Sequence, residues 1–143
     1  MENIFKSNVL WSQIDANMHL RHSAYADFAA QARVELLNQC GLDYKTFSSL
    51  KIGPILFREE LIYFREVGLN ESISIETFVT KSNADMSRWS FTQHMYRSDG
   101  VKAATIHVDG AWMDVVKRKL TVLPEEFIQR LSELPKSEDF QQV

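Results

Sequence analysis

The apolar residues of this chain change their period once, and that change constrains the fold more than any other feature. Between Ser23 and Cys40, Tyr25, Phe28, Ala29, Ala32 and Leu36 fall at helical spacing, with Leu37 and Cys40 widening the stripe. Beyond Gly53 the period drops to two. Ile55 to Arg65 is apolar and aromatic, Ser72 to Thr80 alternates through Ile73, Ile75, Thr77 and Val79, and Arg88 to Tyr96 alternates through Trp89, Phe91, Gln93 and Met95. Ser98-Asp99-Gly100 marks a hairpin turn, and Val101 to Val116 is long enough to be a central strand paired with the one before it. One long helix followed by a run of strands defines an α+β domain.

Punctuation residues bound these elements. Ser23 is placed as the helix N-cap, Asp27 favours the positive end of the helix dipole, and Gly41 closes the C-terminus. The small residues Ala29 and Ala32 on the apolar face imply that this helix is packed across a sheet. Asn8 to Trp11 is expected to end a short first strand, Asp43 to Leu50 to form a short second helix, and Gly53-Pro54 to turn into the strands. Leu123-Pro124-Glu125 starts a terminal helix, with Pro124 where its missing donor costs nothing. The expected order is strand, long helix, four strands in an antiparallel meander and a closing helix. The whole chain, 1–143, is expected to form one domain, with the polar segment from Pro135 to Val143 as a frayed tail.

Composition removes several function classes. Hydrophobic residues make up 45% and charged residues 24%, as in a folded globular domain and unlike a disordered chain. A net charge of -3 gives no footprint for a nucleic-acid partner, and Lys117-Arg118-Lys119 is too short a basic run to change that. Cys40 is the only cysteine, so no intramolecular disulfide forms and a cytoplasmic location is expected; as a residue of the apolar stripe it fits a structural thiol. No segment approaches the length needed to span a bilayer.

Chemistry-bearing residues are densest in Trp11-Ser12-Gln13-Ile14-Asp15-Ala16-Asn17-Met18-His19-Leu20-Arg21-His22, directly before the long helix. A carboxylate and two imidazoles in eight residues supply a base or nucleophile and orienting groups, and the free amides of a helix start stabilise a developing oxyanion. Two readings stay open on the residues alone, acyl transfer or a turn shaped by Asp15 and Asn17 with ordinary surface histidines. His19 and His22, three residues apart with no third ligand, match no closed metal site. No cofactor is implied. His94, His107 and Asp109 lie on successive strands and fit cross-strand polar pairing, while Trp89 and Trp112 fit the core.

Asp15-Ala16-Asn17-Met18-His19-Leu20, followed by Tyr25 and Ala32-Arg33, resembles the signature of the 4-hydroxybenzoyl-CoA thioesterase family. The resemblance continues through Arg58 to Arg65 before Gly68, the turn Tyr96-Arg97-Ser98-Asp99-Gly100, Ala111-Trp112-Met113-Asp114 and Leu123-Pro124-Glu125, so it covers most of the chain. It implies a single hotdog domain, a long central helix packed on an antiparallel sheet of about five strands, hydrolysing acyl-CoA thioesters. It casts Asp15 as nucleophile or general base, followed by His22 and His19 as holding groups and Asn17 as an ordering residue. It also implies a homodimer or homotetramer with the acyl site between subunits, and makes Arg58, Lys81 and Arg88 candidates for the CoA phosphates.

The chain departs from the family pattern at three places. Trp11 stands where members with the later histidine carry a tyrosine, Met18 where many relatives have glycine, and Ala30, beside Gln31, where an acidic residue occurs in the helix. These departures keep a non-catalytic acyl-CoA-binding module as the alternative, with a hydratase or dehydratase of the same fold ranked last.

Overall fold

The computed structural model describes residues 2–143. Helix α1 (His22–Gln39) buries Ala24, Tyr25, Phe28, Ala29, Ala32, Leu36 and Leu37, the stripe expected from the sequence. It ends as Gly41 requires. Gly41 takes φ +80, its amide donates to the Asn38 carbonyl at 3.0 Å, and the Leu42 amide donates to Leu37 at 3.0 Å, a Schellman closure. Cys40, just before it, is fully buried, and burial pushes its thiol up to about 11.

The start of α1 differs from expectation. Arg21, not Ser23, occupies the N-cap position, with no side-chain cap. The Arg21 amide donates to Gln13 at 2.8 Å and the Leu20 amide to Val67 at 2.7 Å, which holds the chain extended up to Arg21, so the helix begins at His22. Ser23 lies within the first turn and its hydroxyl accepts from Arg21 Nε at 3.0 Å. Asp27 falls beyond the first turn, outside the reach of the helix end.

Helix α2 (Tyr44–Leu50) is capped by Asp43, whose Oδ1 accepts from the Thr46 amide at 2.9 Å. The turn expected at Gly53-Pro54 occurs at Lys51 instead, which takes φ 56. Gly53 and Pro54 belong to strand β2 (Ile52–Tyr63). Proline is tolerated there because β2 is an edge strand, with one side unpaired among the described residues.

Strand β1 (Ile4–Asn8) is followed by a single 3-10 turn at Trp11–Gln13, so the first strand lies earlier than expected. The other strands are β3 (Ser72–Ser82), β4 (Arg88–Arg97), β5 (Lys102–Asp114), β6 (Lys119–Thr121) and β7 (Lys136–Gln142), with helix α3 (Glu125–Ser132) before the last. The sheet has seven strands, not about five, along the path β1-β3-β4-β5-β2, with β6 on β5 and β7 on β3. It is no simple meander, since β2 pairs β5 and the 64–71 connection crosses the end of the sheet to reach β3. All pairings are antiparallel except β7 with β3. The segment expected to fray is therefore a strand, held by backbone bonds that its polar side chains did not announce.

One face of the sheet packs against α1. Ile75, Met95, Ile106 and Val108 on that face are fully buried, as is Gln93, whose amide nitrogen donates to the Ala29 carbonyl at 2.9 Å and to Thr77 Oγ1 at 3.1 Å. Gln93 Oε1 accepts from Arg33 Nη1 at 2.8 Å, so a polar strut fixes the helix to the sheet. Trp89 and Trp112 are core residues 5.5 Å apart. The opposite face carries cross-strand pairs, Ser90 with Asp109 at 2.6 Å, Thr92 with His107 at 2.8 Å and His94 with Thr105 at 3.1 Å.

Candidate active site

The polar run before α1 folds back on itself. Ile14 bridges Leu20, the Asp15 amide donates to His19 at 2.8 Å, and the Met18 amide donates to Asp15 at 3.1 Å. Within this loop Asp15 Oδ1 accepts from the Asn17 amide at 2.8 Å and the His19 amide at 3.1 Å. One carboxylate oxygen is thus fixed by two donors. The other accepts no hydrogen bond from the described residues and is available to a ligand. Closing so tight a loop puts Met18 at φ 63, a left-handed conformation that glycine adopts without strain. The methionine at this position therefore leaves the loop geometry in place at the cost of local strain.

A second segment completes the site. His19 bridges Gly68 and the Leu20 amide donates to Val67. Leu20 and Val67 are buried toward the core, so the alternation of an extended pair puts His19 and Glu66 on the other, exposed face. A Cβ placed on Gly68 would meet nothing within 4 Å, which leaves open space beside His19. The Glu66 carboxyl is held below the usual range, first by its own backbone amide and then by the charges of Arg97, His19 and Arg65.

Two tyrosines join the segments to the helix. Tyr63, at the end of β2, donates to the His22 carbonyl at 3.3 Å and stacks edge-on against Tyr25 at 5.0 Å. Burial pushes the Tyr25 phenol up, reinforced by Tyr63, Glu66 and Asp15, while the Val67 amide donates to its oxygen and opposes the shift. First-turn amides have no partner within a helix, and in α1 these belong to His22 and Ser23; the Ala24 amide already donates to Arg21 at 3.0 Å. The donors available to an oxyanion are thus the amides of His22 and Ser23.

Asp15, Asn17, His19 and His22 therefore gather at one end of the sheet. Arg58, Lys81 and Arg88 do not join them. Lys81 and Arg88 lie at the opposite ends of β3 and β4, roughly 30 Å away at about 3.3 Å per residue along β4. Arg58 is paired with Glu60 at 3.1 Å and Asp109 at 3.7 Å, and the Arg88 guanidinium lies 5.3 Å over the Phe57 ring. Two adjoining concavities of about 300 and 250 Å³ hold these cations, the first lined by Arg58 and Lys81, the second by Lys81 and Arg88. Sequence reasoning missed Tyr63 and Glu66, whose only signal is their position at the end of a strand rich in aromatic residues.

A family profile described as the thioesterase-like superfamily matches residues 9–131, and the chain belongs to that superfamily. Solved structures agree on the fold. A hypothetical protein from Staphylococcus aureus in complex with CoA superposes with a TM-score of 0.86 at 18% identity, covering 99% of this chain and 87% of that one. A DHNA-CoA thioesterase from Staphylococcus aureus gives 0.83 at 16% identity, covering 92% and 89%. A 1,4-dihydroxy-2-naphthoyl-CoA thioesterase from Synechocystis gives 0.80 at 12% identity, covering 92% and 96%. No curated protein matches the chain at a significant level. Among the described residues no helix is long and apolar enough to cross a membrane.

Proposed function

We propose that this chain hydrolyses acyl-CoA thioesters, with Asp15 as its reacting carboxylate. The observation that carries the reading is the asymmetry of Asp15, one oxygen anchored by two backbone amides and the other free, next to the start of α1. A thioester carbonyl set against the His22 and Ser23 amides gains stabilisation for its oxyanion as the carbonyl carbon is attacked. Asp15 acts either by attack, forming a mixed anhydride that water opens, or by taking the proton of an attacking water; in both cases CoA leaves as the thiolate. His19 and His22 flank the carbonyl, and Asn17 orders the loop through its amide. Within the superfamily, the residue order from Asp15 to Arg33 favours the 4-hydroxybenzoyl-CoA thioesterase family.

The same reading calls for a homodimer. The free edge of β2 exposes Leu56, Phe57, Ile62 and Tyr63, apolar surface that antiparallel pairing with a second copy would cover. Arg58, Lys81 and Arg88, around two adjoining concavities, are the candidates for the CoA phosphates. A cytoplasmic setting fits a CoA-dependent activity.

Thiol release from a panel of aliphatic acyl-CoA esters and one aromatic ester tests this function. Release from at least one ester is expected. No release from any of them, with tight binding of the CoA ester retained, would replace hydrolysis by a binding role.

A further inference from the structure

The hairpin turn between β4 and β5 contributes no group to the site, yet its first residue is tied to it. Arg97 Nη2 and Nε bind the Asp99 carboxylate at 2.6 and 3.2 Å, which fixes the guanidinium in one plane. The remaining nitrogen, Nη1, donates to the Glu66 carbonyl at 3.0 Å and lies 3.9 Å from the Glu66 carboxylate. The side chain is only 16% exposed, so solvent does little to loosen it. Ser98 Oγ donates to Glu71 at 3.3 Å, and Glu71 in turn accepts from the Gly68 amide at 3.1 Å, so the turn grips the 64–71 segment at two points.

From Glu66 the contacts run without a break to Asp15. Val67 accepts the Leu20 amide at 2.7 Å, Gly68 bridges His19, and the His19 amide holds Asp15 Oδ1 at 3.1 Å. The geometry points to Arg97 as a positioning residue that sets the Asp15 carboxylate through the Glu66–Gly68 backbone. This rests on the thioesterase reading for its kinetic consequence, but not for its structural one. Arg97 makes no hydrogen bond to Asp15, although it borders a concavity of about 780 Å³ with Ser72, Ile73 and Tyr96, so its removal reaches the carboxylate through the 64–71 backbone. Misplacement by about 1 Å costs up to roughly 100-fold in rate.

The test compares Arg97→Met, Arg97→Lys and Gly41→Ala. Gly41, with φ +80 at the far end of α1, is a control for lost stability, since α1 spans about 27 Å at 1.5 Å per residue. Arg97→Met is expected to lower kcat about tenfold or more with KM within about twofold, and to speed hydrogen exchange of the Leu20 amide about tenfold. Arg97→Lys, which reaches the Glu66 carbonyl but cannot grip Asp99 with two nitrogens, is expected to fall between. Gly41→Ala is expected to lower the melting temperature without either effect. Should Arg97→Met not fold, Asp99→Asn takes its place, expected to show the same two effects more weakly. Unchanged Leu20 exchange in the folded variant, or a kcat loss matched by Gly41→Ala, overturns the inference. Absence of hydrolysis in the native protein refutes the thioesterase reading instead, and the exchange measurement still decides whether Arg97 holds the loop.

Discussion

Gln93→Leu removes the strut between α1 and the sheet and puts a slightly shorter, apolar side chain in its place. Gln93 is fully buried and loses three hydrogen bonds, to Ala29, Thr77 and Arg33. Neutral bonds contribute about 1 kcal/mol each and a charged one about 1.5–3, and the apolar leucine recovers some of this, so a net loss of about 3 kcal/mol is expected. Burial already disfavours the charge on Arg33, with Glu59 opposing, and a leucine side chain in place of the amide would leave the guanidinium without its nearest acceptor. For a chain of this size 1 kcal/mol corresponds to about 3–4 °C, giving a fall of roughly 10 °C in Tm. Thermal and urea unfolding measure it. Adding Arg33→Met removes the stranded charge, so the double variant is expected to be more stable than Gln93→Leu alone. A loss under about 1 kcal/mol, or a double variant less stable than the single, would refute the strut.

Met18→Gly is expected to stabilise the protein by about 0.5–1 kcal/mol in urea unfolding by relieving the left-handed strain, with thioesterase activity kept. A stability loss would show that the methionine side chain contributes more than its backbone costs. His94 is pushed below its ordinary value by burial first and Lys102 second, partly offset by Glu76. Its folded form therefore binds a proton less readily than the unfolded chain, so its contribution is present above about pH 6.5 and is lost as pH falls through the lower folded value. Stability measured across that window is expected to drop less steeply in His94→Gln than in the native protein, and equal slopes would rule this out.

Much of the fold was legible because it follows from burial. The stripe from Tyr25 to Cys40 and the alternation along β3, β4 and β5 each reflect one face turned to the core. What stayed hidden depends on backbone pairing or on contacts distant in sequence. Strand β7, Lys-Ser-Glu-Asp-Phe-Gln-Gln, has only Phe140 packed against the core, so nothing in its pattern signals a strand at the edge of β3. Gly53-Pro54 has the composition of a turn and lies in a strand because an edge tolerates proline. Asp15, Asn17, His19 and His22 were visible as one run. Tyr63 and Glu66 reach the site, and Arg97 is tied to it through Glu66, only because the 64–71 segment crosses the sheet end, a consequence of strand order that local pattern does not encode.

The most direct measurement compares thiol release by the native protein and Asp15→Asn on the same acyl-CoA ester, with Tm recorded for both. Asparagine keeps an acceptor for the Asn17 and His19 amides, so the loop is retained and stability is expected to change by no more than about 1–2 kcal/mol. The carboxylate chemistry is lost, and kcat is expected to fall by about 100-fold or more. A variant that stays folded and hydrolyses the ester within about threefold of the native rate would contradict a catalytic role for Asp15.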